Sequence, residues 1–358
     1  MGDQAVPGLH LRRTDENVEE IAALARLLGG AVGVEGVLED LHRQGRRSWG
    51  LFGRAVGRAF TWDAADRKDR RWWPQGITTS ADAAEDEVVS GRRVLAVTWY
   101  RHGEDGRNAG SRITFVDLDT LRYRHVLLVL PRLAGGELQL SPLRVHAGGI
   151  VWSGSFVHIA ATARGLISCR LEDILRVPDD RAGDAHRLAV TSAHVSSMGY
   201  RYVLPVRFSF RATTEEGQAP LRYSFLSLDK TSSPPHLVTG EYGVGEATTR
   251  LARFPVDRDT GLPLAVDGRS HPVFLDTGVA QMQGVAVVDG QWYVTVSHGP
   301  WAPGSVHVGR PGAFRRHRFA TPIGPEDIAY WPSSDTLWSV SEHPHRRWVY
   351  AMPRRWFG

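Results

Sequence analysis

The chain has 358 residues, of which 42% are hydrophobic and 23% charged, a balance that excludes a disordered or membrane-embedded protein and leaves room for a large core. Its net charge of +4 is small for this length, and only Lys68 and Lys230 among the 43 basic residues are lysines. That skew reads as the codon usage of a high-GC genome, and the interleaving of basic with acidic residues argues against a nucleic-acid partner. Cys169 is the single cysteine, so no intrachain disulfide or thiolate zinc site is expected. No run of 18 apolar residues marks a membrane span. The N-terminal MGDQAVPGLHLRRTDENVEE lacks the apolar core of a secretory signal, so a cytoplasmic location is expected.

In chain order, Val18, Ile21, Leu24, Ala25 and Leu28 fall at helical spacing, with Glu20 placed as capping-box partner to Asn17 and Gly29-Gly30 as a stop. A second short helix is predicted from Val34 to His42. The basic, amphipathic RRSWGLFGRAVGRAF follows; it reads as a helical flap on the main domain or as a membrane-surface or partner helix. Residues 1–60 are thus expected to form a helical extension, and 61–358 the main domain. After Trp72, short β-rich runs such as RVLAVTWY, SRITFVDLD, FVHIAATA and WYVTVSHG alternate with Gly, Pro, Asp and Ser, the pattern of an all-β fold.

A repeat organises these strands. Gln75-Gly76-Ile77, His146-Ala147-Gly148-Gly149-Ile150, Gln283-Gly284-Val285 and Glu326-Asp327-Ile328 each open a strand that is followed by a turn and a second strand rich in Val, Thr, Ser and aromatics. Units of this size are the blades of a β-propeller. The count predicts five blades, with six as the alternative, because the third unit, placed at YRYVLPVRFSF near Tyr200, is irregular. The last unit has three strands, so ring closure needs a strand from upstream of Trp72, around GRAFTWDA.

In a propeller, the openings of the inner strands and the ends of the second strands share one face. The openings supply Gln75, His146, Gln283, Glu326 and Asp327. The strand ends supply Tyr100, Arg101, Arg164, Glu241, Tyr242, His298, Glu342 and His343. Turn chemistry favours Gly, Asn, Asp, Ser and Pro, so this polar set points to a site. Glu326, Glu342, Glu241, His146, His298 and His343 are the acid–base candidates. Gln75, Gln283, Tyr100, Tyr242 and Asp327 are candidate substrate ligands, and Arg101 and Arg164 candidate anion clamps. His with carboxylate and amide oxygens is also a donor set for a divalent metal, but no HExxH or calcium-loop pattern assigns one. No G-x-x-x-x-G-K-[ST], GxSxG or dinucleotide fingerprint is present, so no nucleotide cofactor is expected.

At WPQGIT, HAGGIVW, MQGVAVVDG and GPEDIAYWPSSDTLWSVSEHP the chain resembles an actinobacterial protein group of unassigned function. The Q-G-hydrophobic openings are more distantly similar to gluconolactonase- and strictosidine-synthase-like propellers, a resemblance that implies architecture and no catalytic residue. The expected function is acid–base catalysis on a polar small molecule at the channel mouth, of cyclase, lyase or hydrolase type, within specialised metabolism. The alternative is a non-catalytic propeller that binds a ligand or protein through the same face.

Overall fold

The computed structural model describes residues 4–49, 53–191 and 193–358. It is all-β, with strands over 49% of the chain and helical turns over 10%, and its sheets take a β-propeller arrangement. Four blades are distinct as antiparallel meanders. The first runs Trp72–Thr79, Val94–His102, Asn108–Asp117 and Arg122–Ala134; another runs Phe225–Asp229, His236–Gly240, Arg250–Pro255 and Phe274–Thr277. The next takes Met282–Val288, Gln291–Val296, Ser305–Arg310 and Ala313–His317, and the last takes Pro325–Trp331, Thr336–Ser341, Trp348–Pro353 and Arg58–Thr61. Between the first two lies a composite sheet, Ile150–Ser153, Phe156–Ala160 and Gly165–Arg170, extended by Phe208–Thr214, Leu9–Arg13 and Arg269–Ser270. Each innermost strand lies beside the next, and Pro325–Trp331 lies beside Trp72–Thr79.

The strand expected around GRAFTWDA is Arg58–Thr61, whose Thr61 and Phe60 pair with Trp348 and Val349. That pairing covers an edge that would otherwise expose unpaired N–H and C=O groups. The flap expected from RRSWGLFGRAVGRAF is not helical where it is described: Arg46–Ser48 pairs antiparallel with Arg58–Thr61, and Gly50, Leu51 and Phe52 lie outside the described residues. The stretch 1–60, expected as a helical extension packed on the propeller, also contributes strands to the sheets where it is described. Leu9–Arg13 is inserted between Phe208–Thr214 and Arg269–Ser270, with Leu9 and Leu11 buried. Within the same stretch, helix Val18–Leu28 is present and ends on left-handed Gly29, but Asn17 forms no side-chain cap; its Nδ2 donates to the Val206 carbonyl instead. The second helix is shorter than expected, Gly33–Glu39.

The third unit is also corrected. Tyr202–Pro205 pairs in parallel with Arg122–Ala134 in the first sheet, and Phe208–Thr214 is taken up by the composite sheet. The inner strand of the next blade is Phe225–Asp229, downstream of the segment where the third unit was expected. Its opening lacks the polar-Gly signature of the other units because the tight approach there is met by Gly148 and Gly149 of the preceding sheet. A Cβ on Gly149 would sit 2.0 Å from the Leu226 nitrogen.

The same crowding recurs around the axis. A Cβ on Gly76 would lie 2.7 Å from the Gly149 carbonyl carbon, and one on Gly284 2.5 Å from Asp327 Cα. Hydroxyls join neighbouring sheets at this level: Thr98 Oγ1 accepts from Gly76 N and donates to the Ala147 carbonyl at 2.8 Å, and Thr295 Oγ1 donates to the Glu326 carbonyl at 2.8 Å. Gly149→Ala is therefore expected to destabilise the fold by about 3 kcal/mol or more, because the opposing atoms are backbone and cannot yield; urea denaturation of the variant against the parent measures this.

Candidate active site

Above this neck lies a cavity of about 550 Å³ lined by Gln75, Tyr100, His146, Thr162, Arg222, Ser224, Tyr242, Gln283, Glu326 and Glu342. Its construction follows from local backbone features. The strand register shifts between Pro74 and Ile77, between Met282 and Gly284, and between Pro325 and Ile328. These irregularities contain Gln75, Gln283 and Glu326, and a bulge re-aims side chains out of the alternating pattern. The repeated opening is thus a repeated bulge. His146 and Ser224 come from the loops entering the other two inner strands. Tyr100, Thr162, Tyr242 and Glu342 come from the ends of second strands.

The two glutamates dominate the electrostatics. Glu326 is 3% exposed, and burial, with Glu342 and Asp327 as like-charged neighbours, raises its carboxyl well above the usual range. Glu342 is pushed up to about 7, chiefly by burial and against the pull of a hydrogen bond from Gln75 and the charge of Arg347. Gln75 Nε2 donates to Glu342 Oε2 at 3.1 Å, and Arg347 Nε donates to the Glu342 carbonyl at 2.7 Å, so both the carboxylate and its main chain are held. Burial and the charges of Glu342 and Glu326 raise the Tyr100 phenol, which keeps it a donor. Its hydroxyl shares a hydrogen bond with His102 Nε2 at 2.8 Å, and its ring lies 4.3 Å from that of His146. Burial and His102 lower His146, which favours the neutral imidazole.

Of the residues singled out in sequence, Gln75, Tyr100, His146, Tyr242, Gln283, Glu326 and Glu342 line this cavity. Glu241 does not. It is fully buried, accepts from the Arg222 and Arg250 main-chain nitrogens, and is bridged by the Arg250 guanidinium at 2.7 Å. Burial pushes its carboxyl up, but these hydrogen bonds outweigh that and leave it at about 2, so it is a fixed anion rather than a base. His298 instead meets Ser305 Oγ at 3.0 Å and Arg316 at 2.8 Å. His343 sits behind Glu342, its Nε2 3.9 Å from Oε1, and packs edge-on against Trp73. Arg101 follows Tyr100 in a strand, where alternate side chains leave on opposite faces. Arg164 is exposed in a turn. Neither arginine reaches the cavity; Arg222 lines it instead, with one amino group donating to the Thr248 carbonyl.

Asp327 lies beneath the cavity, in the neck, and is fully buried. Its Oδ2 accepts from Ile77 N and Ile150 N, both at 3.4 Å, while Oδ1 has no partner among the described residues. Burial raises it well above the usual carboxylate range. Ser224 and Arg222 escaped the sequence reading because the third unit was placed upstream of them; the one signal is that Ser224 precedes FLSLD as Gln283 precedes GVAVV. Among the described residues, no group of three or more His, Cys, Asp or Glu is placed to hold a metal ion. A Thr114–His125–Asp66 chain, with bonds of 2.7 and 2.9 Å, resembles a hydrolytic triad. Its hydroxyl is out of reach, however: Thr114 is fully buried, and Asp66 is also held by Arg43, Arg112 and Tyr123.

No protein-family model matches the chain, and no curated protein matches it, so the actinobacterial resemblance rests on its motifs alone. Solved structures similar to it include a gluconolactonase from Xanthomonas campestris, 13% identical, covering 87% of this chain and 84% of that one with a TM-score of 0.38. A GH43_1 enzyme from Xanthomonas citri is 12% identical, covering 84% and 91% with a TM-score of 0.34. A GH43 β-xylosidase/α-arabinofuranosidase from a compost metagenome is 10% identical, covering 84% and 94% with a TM-score of 0.36. Likenesses at this level carry no functional argument.

Glu241→Gln is expected to cost roughly 3 kcal/mol, since it strands the Arg250 charge. In the parent, the stabilisation from this low carboxyl is present above pH 4.5 and is lost as pH falls toward 2. Acid-denaturation curves of parent and variant are expected to converge at the acid end.

Proposed function

We propose that the composite sheet is a fifth blade and that the cavity at the shared mouth is the active site of a hydrolase-type enzyme for a polar, uncharged small molecule. The observation that carries this reading is the pair Glu326 and Glu342: two carboxyls facing one cavity, both raised by burial, one beside two acidic neighbours and the other held by Gln75. Carboxyls in such different surroundings divide into an acid and a base. Glu326, whose buried surroundings favour the protonated form, acts as the general acid toward a leaving or carbonyl oxygen. Glu342, titrating near 7, takes a proton from water or a substrate hydroxyl. Gln75 orients Glu342, and Gln283, Tyr100 and Ser224 supply neutral hydrogen-bonding groups. The single arginine in the lining, Arg222, donates to the Thr248 carbonyl and lies 3.8 Å from Glu241, and an ionised Glu342 facing the cavity disfavours a strongly anionic substrate. Cyclase and lyase chemistry would use the same two carboxyls.

Two experiments test this. The first needs no substrate. Because folding raises the Glu342 pKa from 4.5 to about 7, the folded state binds the proton more tightly; the associated stability is full below pH 4.5 and is lost as pH rises through 7. Glu342→Gln is expected to match the parent near pH 4 and to exceed it at pH 8 by up to about 3 kcal/mol, read from denaturation midpoints at both values. The second is a turnover screen of lactones and aryl glycosides. Glu342→Gln and Glu326→Gln are each expected to lower turnover by about 10²- to 10⁴-fold while leaving binding intact. Turnover untouched by both substitutions would refute the assignment; binding without turnover in the parent would favour the non-catalytic propeller.

A further inference from the structure

The arginines interleaved with acids over most of the sequence are not evenly distributed in space. Residues 41–62, 290–325 and 343–358 contain thirteen arginines and no Asp or Glu, while the remainder of the chain has more acidic than basic residues. The fold brings parts of these three segments together on the outer edges of the last two blades. Arg54 N donates to the Phe319 carbonyl at 2.8 Å and Ala55 N to the Ala320 carbonyl at 3.0 Å. The ring of Trp356 lies 5.7 Å from His317. Three large aromatic side chains stand exposed here: Trp49 at 94%, Phe319 at 47% and Trp356 at 38%. Around them the guanidinium groups of Arg46, Arg47, Arg54, Arg315, Arg318 and Arg355 make no hydrogen bond or ion pair with another described residue.

We propose that this face is a docking surface for an anionic lipid membrane. Unpaired guanidinium groups answer a negatively charged headgroup layer, and indole and phenyl rings partition to the boundary between headgroups and acyl chains. The geometry favours a bilayer over single-stranded nucleic acid, because a strand needs a basic groove with stacking platforms. Here the aromatics sit on a hairpin, a blade edge and a terminal turn. None of them lines the cavity described above. Among the described residues no helix is long and apolar enough to cross a membrane, and the attachment proposed is peripheral.

The test is flotation of the full chain with vesicles of phosphatidylcholine alone and of equal parts phosphatidylcholine and phosphatidylglycerol, at low and at physiological salt, with a single-stranded oligonucleotide as competitor. Binding is expected only to the anionic vesicles and should weaken with salt. Arg54→Gln/Arg315→Gln/Arg318→Gln should lower it by at least about tenfold and Trp49→Ala by several-fold. A second combination, Arg46→Gln/Arg47→Gln, should also weaken it; thermal melts identify any variant that is not folded. The proposal is overturned by equal binding to neutral vesicles, by absence of binding, by folded variants that bind as the parent does, or by an oligonucleotide that displaces the vesicles.

Discussion

The inner strands meet so closely at the axis that side chains are excluded where they touch. Gly149 faces the Leu226 backbone, Gly76 faces Gly149, and Gly284 faces Asp327. Much follows from this contact. It narrows the axis below the cavity to a neck that the Asp327 carboxyl enters. It also brings the second-strand hydroxyls of Thr98 and Thr295 within reach of the neighbouring sheet. Where the repeat substitutes aspartate for glycine, the Asp327 carboxyl is drawn into the neck and laid against the main-chain nitrogens of two other sheets. A carboxylate there has no cation among its hydrogen-bond partners, which is why the protonated form is preferred.

The chemistry of the cavity depends on the same contact. Above this neck Glu326 and Glu342 lose most of their water, and desolvation is the largest cause of the raised pKa of each. Their neighbours then distinguish them: Glu326 has two acidic neighbours and, among the described residues, no hydrogen-bond donor to its carboxyl, whereas Glu342 is eased by Gln75 and Arg347. Glu241, with no exposed surface, ends up at the opposite extreme because Arg250 and two main-chain nitrogens surround it. Burial alone does not make a base; the partners decide.

Much of this was legible in the sequence, and the reasons for the exceptions are specific. The openings at Gln75, Gln283 and Glu326 were visible because a bulge needs the same residue pattern wherever it recurs. Tyr100, Tyr242 and Glu342 were found because the ends of second strands share a face in any propeller. Arg101 was misplaced because a strand end does not reveal which of two adjacent residues turns inward, and Arg164 because it lies in the exposed turn beyond Thr162. Tyr202–Pro205 and Phe208–Thr214 have strong strand composition, but their partners, Arg122–Ala134 and Gly165–Arg170, lie in two different sheets, and composition does not name a partner. The RRSWGLFGRAVGRAF segment has a helical pattern of apolar residues, yet the unpaired edge of Trp348–Pro353 outweighs that preference and draws its end into a sheet.

The pairing of Arg58–Thr61 with Trp348–Pro353 also fixes an order of events during synthesis. Thr61 leaves the ribosome before its partner Trp348 is made, so no chain that stops short of Trp348 can close the ring. Until then the Arg58–Thr61 strand lacks its inner neighbour. The early sheets can form by local pairing as they emerge, but the neck at the axis, and with it the dehydration that tunes Glu326 and Glu342, comes into being only when the last blade is delivered. A prematurely released chain would therefore carry most of the fold and none of the assembled site.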